Sequence, residues 1–544
     1  MKDALIKSAC SRILAFAICI TWTVTTLQAQ FISGVSKPGP ETIKITDVNL
    51  PEVKYANMIT ADDLYKHLST LASDEMEGRE TGYPGNDMAK DYLVSQFETI
   101  GLVQPEGGDG YLQKIAFTKS KWEENTMSVN GKEFKHLRDY MTFPTTNTTM
   151  EINTDDVMFL GYGIDDPAYS DYSGKNVNGK VIMIYNGEPM NADSISYVTG
   201  TKELSQWSGE LGKKLELAKQ KGVKLVLVVE EGLKDFLFKN RKYLVGAKLD
   251  LGDFTQPGPW ANHTYISSTI AKEIIGKKTK KFMRLRKRIT RKGKSKAADF
   301  KNNFRMTMKK NTDLISGNNV MGLVIGSEKP DEIVVVSAHY DHIGRKGDEI
   351  FNGADDNGSG TSTVLELAQS FAQAAKEGNG PKRSILFMLV TGEEKGLLGS
   401  EYYAENPLYP LANTVADVNI DMVGRVDKKY KDDPNYIYVI GSDRLSMDLH
   451  DINEQVNNDY TQLTLDYKYN DEKDPNRYYF RSDHYNFASR GIPAIFFFNG
   501  THEDYHQPGD TVDKINFDKM TLIGKHVFHL TWELANREDR IRLN

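Results

Sequence analysis

Six side chains that can bind metal ions or move protons are scattered through the second half of the chain. Each follows, directly or within a short loop, an apolar run that is typical of a buried β-strand. Because the carboxyl ends of parallel strands meet at one edge of a sheet, the fold can bring these side chains together. Histidine and carboxylate ligands without cysteine suit zinc. The pattern predicts a two-metal hydrolase, with the candidates His339, Asp356, Glu393, Glu394, Asp421 and His506.

The first candidate, His339, follows the apolar residues 333–338, which predict a strand buried on both faces. Residues i and i+2 of an extended chain face the same side, so we expect the Asp341 carboxylate to reach the imidazole of His339. A carboxylate behind a ligating imidazole fixes its tautomer. Alone, this His-Tyr-Asp triplet is a weak indication of a metal site.

Asp356 lies in a glycine-rich loop, residues 353–360, before a predicted helix over residues 361–375. Acidic residues at a helix N-terminus are favoured by the helix dipole, so a capped turn without a metal is an alternative. The position of the loop after His339 favours a metal ligand, because open α/β sheets place their sites there.

Two further strands end in acidic residues. Residues 384–390 lead to Glu393 and Glu394, which would be unremarkable on a surface helix. At a strand end, neighbouring side chains point in different directions, so one can bind a metal while the other faces a water molecule. Residues 414–420 lead to Asp421, with Asp417 as the weaker ligand candidate.

The last candidate belongs to the string His502-Glu503-Asp504-Tyr505-His506, which spells the H-E-x-x-H sequence of zinc proteases. That motif requires a helix, so that both histidines share one face. Here the string lies between Asn-Gly and Pro-Gly pairs, which favour turns. We therefore predict that His506 is a ligand and that His502 is a loop residue.

The surrounding sequence predicts the elements that position these residues. Residues 30–55 contain three prolines and indicate an extended leader over the surface, without a core. A helix follows Thr60, with leucines at helical spacing, and a second helix covers residues 86–100. Residues 116–300 change to short β-rich runs and indicate an inserted domain. We expect residues 56–115 and 301–544 to form the domain that carries the candidate site.

Within the insert, residues 277–296 carry twelve basic residues and no acidic one. A solvated helix or loop is the simpler interpretation, and contact with an anionic surface or substrate is the alternative.

The N-terminus predicts export, because basic residues precede an apolar run that closes at Leu27-Gln28-Ala29. We expect cleavage of residues 1–29, a periplasmic or secreted protein, and no membrane span afterwards; an uncleaved anchor is the alternative. Both cysteines, Cys10 and Cys19, fall in this segment, so no disulfide is expected. The remaining chain has 65 basic and 74 acidic residues, a net charge of −9, so we expect no nucleic acid as a partner.

Taken in order, five motifs resemble the two-zinc aminopeptidase and glutamate carboxypeptidase family of metallopeptidases. They are H-Y-D, G-A-D-D-N-G-S-G, G-E-E-K-G-L-L-G-S, D-M-V-G and Y-H-Q-P-G-D-T. The resemblance covers residues 60–110 and 315–535. It implies an α/β fold with a mixed, mostly parallel eight-stranded sheet flanked by helices. It also implies that residues 116–300 are an inserted β-rich protease-associated domain.

The resemblance also implies a role for each matching residue. Two zinc ions would be bound by His339, Asp356, Glu394, Asp421 and His506, with Asp356 as the bridge; cobalt or manganese would also suit such ligands. Glu393 would be the general base, Tyr505 would help to hold the substrate carbonyl oxygen, and Asp341 would stand behind His339. The substrate pocket would include Arg481, Ser482 and Asp483.

The function implied is an exported exopeptidase that removes N-terminal amino acids from peptides with metal-activated water. A carboxypeptidase or dipeptidase of the same family remains an alternative, since Arg481 could bind a substrate carboxylate. A glutaminyl cyclase and a non-catalytic binding protein are less favoured. The first would not need both His339 and Asp421, and the second would lack the metal-site residues.

Overall fold

The structure is a computed structural model that describes residues 32–38 and 44–544. The predicted export signal, residues 1–29, and both cysteines lie outside this part of the chain. Every helix within the described ranges is too short or too polar to span a bilayer. The described residues form two compact units, an inserted unit of residues 116–315 and a discontinuous unit that comprises the rest.

The elements are numbered along the chain. The strands are β1 (Val35–Ser36), β2 (Leu112–Val129), β3 (Lys132–Phe134), β4 (Tyr140–Met141), β5 (Met150–Phe159), β6 (Val181–Tyr185), β7 (Leu225–Val229), β8 (Lys248–Leu251), β9 (His263–Ile266), β10 (Ala298–Val324), β11 (Lys329–His339), β12 (Gly344–Lys346), β13 (Glu349–Phe351), β14 (Arg383–Val390), β15 (Thr414–Ile420), β16 (Tyr436–Ile440), β17 (Thr464–Asp466) and β18 (Ala494–Phe498). The α-helices are α1 (Pro51–Ala56), α2 (Ala61–Leu71), α3 (Pro84–Ile100), α4 (Gln206–Gly209), α5 (Leu211–Gln220), α6 (Leu233–Leu244), α7 (Ser268–Ile275), α8 (Thr279–Lys292), α9 (Gly360–Lys376), α10 (Leu398–Glu405), α11 (Met447–Val456), α12 (His484–Ala488) and α13 (Phe517–Asn536).

The discontinuous unit contains an eight-stranded mixed sheet in the order β1-β17-β16-β18-β15-β11-β14-β10, of which residues 320–324 of β10 pair with β14. The pairs β11–β14, β11–β15, β15–β18 and β16–β17 are parallel, and the other three are antiparallel. All residues of β14 and β15 are buried, as expected for strands covered on both faces. The predicted α/β fold is therefore confirmed.

Helices cover this sheet on both faces. On one face, α1, α2, α3, α9 and α13 form a single apolar core with the central strands. Within it, the rings of Phe371 and Phe528 stack with their centroids 4.5 Å apart. On the other face, residues of α10 and α12 pack against β11 and β14. This burial makes the central strands a rigid support for the loops at their carboxyl ends.

The helices α2 and α3 begin and end with the signals that the sequence contains. The Thr60 side chain accepts a hydrogen bond from the Asp63 amide and caps α2. Gly101 takes the left-handed conformation, with φ of 82°, at the end of α3.

The prediction of a coreless leader over residues 30–55 is wrong for its last five residues. Residues 51–56 form α1, in which Val53 and Tyr55 are buried. Pro51 occupies the first turn of this helix, where proline needs no amide hydrogen bond. Further towards the N-terminus, β1 pairs with β17 at the sheet edge. The prolines predict extended chain, whereas Pro51 starts a helix.

The inserted unit is built on a parallel arrangement of β5, β6, β7 and β9. The first part of β10 pairs antiparallel with β5, and β4 pairs antiparallel with β9. The unit carries helices α4 to α8 as well as strands, so it is an α/β unit rather than a purely β one. It ends at Ile315 instead of residue 300, within β10, whose continuous alternation offers no break in the sequence. Its identity as a protease-associated domain stays a prediction.

Candidate metal centre

Four neighbouring strands of the discontinuous unit lead to the predicted ligands. In the order β18-β15-β11-β14, they lie side by side in the centre of the sheet. His339 is the last residue of β11, and Asp421 directly follows β15. Glu393 and Glu394 come shortly after β14, and His506 lies in the turn-rich loop after β18. The strand ends therefore gather residues that are more than 160 positions apart in sequence.

The carboxylate of Asp356 lies between two groups of ligands. Its Oδ1 atom is 3.4 Å from His339 Nε2, which is also 3.4 Å from Asp421 Oδ1. Its Oδ2 atom is 3.1 Å from His506 Nε2, which is 3.2 Å from Glu394 Oε2. One oxygen thus faces each group, which is the arrangement that a carboxylate shared by two cations requires.

The sequence reasoning missed His342, a buried residue at the same centre. Its Nδ1 atom is 2.8 Å from Glu394 Oε1 and 3.8 Å from Asp356 Oδ2. Potential metal-binding atoms of His342, Asp356 and Glu394 all lie within 4.8 Å of one another, as do those of His339, Glu393 and Asp421. The one available signal in the sequence was a second histidine three positions after His339, in His339-Tyr340-Asp341-His342. Its spacing of three does not place it with His339 on one face of a strand.

The donor atoms of this centre fit metal ions. Among the described residues, several buried atoms lack a well-aligned hydrogen bond: His339 Nε2, both ring nitrogens of His342, Asp356 Oδ2, Glu394 Oε1 and Asp421 Oδ1. Burying polar or charged atoms without a partner is costly. Divalent cations would supply partners for His339 Nε2, Asp356 Oδ2 and Asp421 Oδ1, and a mixture of imidazoles and carboxylates suits zinc.

The Nδ1 atom of His339, on the side of the ring away from the candidate ions, is held by a main-chain carbonyl. Its Nδ1 atom lies 3.0 Å from the carbonyl oxygen of Asp341, so Nδ1–H donates and Nε2 is left free for an ion. The predicted carboxylate partner is farther away, at 3.7 Å. Because β11 ends at His339, the chain no longer alternates, and the Asp341 carboxylate turns elsewhere. It accepts hydrogen bonds from the Thr81 hydroxyl at 2.9 Å and the Glu393 amide at 3.1 Å.

Two residues predicted for the substrate pocket lie beneath the ligands instead. Ser482 is buried and donates its hydroxyl to Asp421 Oδ2 at 2.7 Å, which leaves Oδ1 facing His339. Asn419 donates in turn to the Ser482 oxygen at 2.8 Å. Asp483 is fully buried, and this burial raises the pKa of its carboxyl to about 7. The preceding residue, Arg481, does line the cavity. The chain turns into the short helix α12 directly after Asp483, and this turn directs both side chains into the protein interior.

A cavity opens directly over the centre. Arg481 and Tyr505, both predicted for the substrate site, line it, and the Arg481 Nη2 atom donates to the Tyr505 hydroxyl oxygen at 3.1 Å. The Tyr505 ring stacks on His506, with centroids 3.9 Å apart. The other residues that line the cavity are ionisable, apolar or aromatic, or small and polar: Asp356, Glu393, Asp421, His506, Met422, Tyr478, Phe496, Phe498 and Thr501.

The charges of the centre are strongly coupled. Burial acts to lower the pKa of His506, but the Glu394 and Asp356 carboxylates outweigh it and raise that pKa to about 11. Burial raises the pKa of Glu393 well above its usual range; the nearby His339 acts against this, and Glu394 and Asp421 reinforce it. The four acidic residues therefore create a local excess of negative charge that cations would neutralise.

A buried arginine outside the predicted site holds the loops around the centre. Arg79 donates to four main-chain carbonyl oxygens, those of Tyr340, Leu71, Asn352 and Gly353. Two of these carbonyls lie next to His339 and in the loop before Asp356. The sequence reasoning assigned no role to this arginine.

The H-E-x-x-H string lies in turns, as predicted, and not in a helix. His502 contacts Asp355, with Nε2 3.2 Å from its Oδ2 atom, and is separate from the two ligand groups. Asp510, from the same loop, accepts hydrogen bonds from the amides of Asp355 and Asp356 at 3.1 Å. This loop therefore fixes the backbone on which the central carboxylate stands.

Comparisons with known proteins agree with this geometry. A probable leucine aminopeptidase of Arthroderma otae is 31% identical over 214 residues, which cover 38% of this chain and 55% of that protein. Aminopeptidase YwaD of Bacillus subtilis is 28% identical over 235 residues, which cover 40% of this chain and 45% of that protein. The chain thus spans about half the length of these curated relatives.

Similarity of fold extends further along the chain. The solved structure of an aminopeptidase from Aneurinibacillus sp. strain AM-1 has a TM-score of 0.51 and 18% identity, covering 90% of this chain and 97% of that one. Residues 319–531, which include every predicted ligand, match the model of peptidase family M28.

Proposed function

We propose that this protein is a zinc-dependent aminopeptidase that removes the N-terminal residue of peptides. One observation carries the proposal: the Asp356 carboxylate faces two groups of ligands, beside a glutamate that lines an open cavity. A structural ion-pair cluster would not need to be open to a cavity. The names of the matched relatives, among them leucine aminopeptidases, support the same reaction.

We assign His339 and Asp421 to one ion, Glu394 and His506 to the other, and Asp356 to both. When bound, the two ions would acidify a water molecule and polarise the carbonyl of the substrate. His342 contacts Glu394 Oε1, whereas His506 contacts Oε2. His342 therefore orients the Glu394 carboxylate, so that Oε2 stays directed towards the ion.

Glu393 is the general base in this proposal. Its carboxylate lies 3.8 Å from His339 Nε2, too far for a direct hydrogen bond, and it borders the cavity. The hydrogen bond from the Glu393 amide to Asp341 fixes its backbone. Glu393 can accept a proton from the attacking water and return it to the leaving amine.

The cavity suits a free N-terminus better than a C-terminal carboxylate. Three carboxylates line it, those of Asp356, Glu393 and Asp421. Glu393 is a ligand of neither proposed ion, so its carboxylate can attract the ammonium group of an N-terminal residue. The aromatic and methionine side chains that line the cavity suit an apolar side chain of the substrate. Arg481 is the cavity's one arginine among the described residues, and it already contacts Tyr505 and the Tyr478 ring.

Tyr505 would donate a hydrogen bond to the developing oxyanion. A guanidinium group has donors but no acceptor, so the Tyr505 oxygen accepts from Arg481 and its own proton stays available for the substrate. Replacing Tyr505 with phenylalanine should lower kcat by about 10²-fold, as removal of one oxyanion donor does, with metal content unchanged. Steady-state kinetics and elemental analysis measure both quantities. An unchanged kcat would remove Tyr505 from the reaction.

The test of the proposed function uses matched peptides that are blocked at the N-terminus, at the C-terminus or at neither end. We expect release of the first residue from peptides with a free N-terminus, loss of activity with a chelator, and recovery with Zn²⁺. Hydrolysis of N-blocked peptides alone would instead identify a carboxypeptidase and assign Arg481 to the substrate carboxylate. No hydrolysis by the zinc-loaded protein would refute the proposal.

A further inference from the structure

The helix α8 and its flanks form a strongly basic surface of the inserted unit. Of the twelve basic residues between positions 277 and 296, eleven are exposed and one, Arg286, is partly buried against the Tyr185 ring at 4.5 Å. The segment contains no acidic residue. We call the exposed basic residues of 277–296 the basic face.

The helix is anchored by its opposite side. Phe282, Leu285 and Ile289 are buried in the apolar core of the inserted unit. Positions 280, 284, 287 and 291 recur at helical spacing on the other side and are all basic and exposed. The helix is about 20 Å long, so these cations form a continuous stripe along an exposed surface.

The cations of the basic face have no carboxylate partner within the part of the chain that the structure describes. Elsewhere on the same unit, lysines do form ion pairs: Lys180 with Asp299, Lys221 with Asp165, and Lys301 with Asp156. Asp299 borders the basic face but pairs with Lys180, so the cations of the basic face lack the carboxylate partners that these other lysines have.

This arrangement opposes the stability of the helix itself. Like charges at i and i+4, such as Lys280 and Arg284 or Lys287 and Arg291, repel each other. Cations in the first turn also oppose the helix dipole. A helix that merely faces solvent would be more stable with mixed charges. A bound anionic surface would relieve both effects.

We propose that the basic face binds the surface of an anionic phospholipid bilayer and holds the protein there without spanning it. Guanidinium and ammonium groups bind phosphate groups well, and each cation close to an anionic bilayer adds to the attraction. Met283, 54% exposed, offers an apolar contact at the side of the stripe. The inference does not depend on the proposed peptidase function.

A bilayer fits this face better than a nucleic acid does. The chain as a whole carries a net charge of −7, so a long polyanion that extends beyond the face meets repulsion from the rest of the protein. A planar bilayer contacts chiefly the surface presented to it, because electrostatic attraction fades within about 10 Å at moderate salt.

The test measures sedimentation of the full chain with vesicles of phosphatidylcholine, with or without phosphatidylglycerol. We expect binding to the anionic vesicles alone and its loss at about 1 M salt. A variant with four substitutions on the stripe should bind at least about tenfold more weakly: Lys280→Gln, Arg284→Gln, Lys287→Gln and Arg291→Gln.

A matched control removes the same charge from exposed lysines elsewhere on the inserted unit: Lys121→Gln, Lys175→Gln, Lys202→Gln and Lys224→Gln. It should bind like the parent protein. Both variants keep the N-terminal apolar segment, so insertion of that segment cannot cause a difference between them. Circular dichroism and thermal unfolding check that both variants fold.

Equal binding to neutral vesicles, or equal binding by the stripe variant and its control, would overturn the proposal. Retention on duplex DNA without binding to anionic vesicles would overturn it as well and would assign the basic face to nucleic acid.

Discussion

Replacing Glu393 with glutamine is expected to lower kcat for peptide hydrolysis by about 10²–10⁴-fold, the range that general acid–base catalysis contributes. Glutamine has nearly the same shape but cannot accept the proton of the attacking water. The backbone of residue 393 stays fixed, because its amide hydrogen bond to Asp341 does not involve the side chain. The measurement is kcat at saturating substrate, together with the zinc content of the purified variant, which should remain two ions per chain.

The matched control is the neighbouring substitution Glu394→Gln. Glu394 Oε2 lies 3.2 Å from His506 Nε2, within one ligand group, so this variant should lose zinc as well as activity. The two variants therefore separate the base from the ligand. If Glu393→Gln lost zinc while Glu394→Gln kept it, the two roles would be reversed.

Replacing Asp356 with asparagine should remove at least one zinc ion and nearly all activity. The two oxygens of Asp356 face different groups, at 3.4 Å from His339 and 3.1 Å from His506. Asparagine keeps one oxygen, replaces the other with an amide group that can only donate, and removes the negative charge between the two ions. Native mass spectrometry counts the ions that remain bound.

Asp417→Asn provides the comparison for this variant. Asp417 is a buried residue of β15 that accepts a hydrogen bond from the Ser337 hydroxyl at 2.7 Å. Burial raises the pKa of its carboxyl well above the usual range, which favours the neutral acid that asparagine resembles. This variant should keep both ions. Full activity and a full zinc complement in Asp356→Asn would refute the two-metal assignment.

The sequence predicts the position of those site residues that directly follow a buried strand. Apolar runs identified β11, β14 and β15, and a residue that directly ends a buried strand of a parallel sheet must emerge at the same edge as its neighbours. His339 and Asp421 could therefore be placed from sequence. The positions of three further residues could be predicted only with the order of the motifs as well, because a loop separates each from the preceding strand: Glu393, Glu394 and His506.

The unpredictable part depends on where the chain turns after each strand. The alternation of a strand predicts that the Asp341 carboxylate faces His339, but β11 ends at His339, two residues before Asp341. Ser482 was placed in the substrate pocket, whereas the turn before α12 directs it to Asp421. His342 was missed for the same reason. Spacing along a strand carries no information about side-chain direction beyond the strand.

The hydrogen bonds of Arg79 limit which fragments of this protein can form the candidate metal centre. Arg79 lies 240 positions before the matched segment 319–531, yet it supplies donors to carbonyls that flank the ligands. Thr81 and Asn86, from the same stretch, bond Asp341 and Thr391. A fragment trimmed to the recognisable segment would leave these buried polar groups without their hydrogen-bond partners. A portion able to assemble an intact centre must therefore include residues 79–86 as well as the matched segment, and the earlier of these must wait during synthesis for partners made much later.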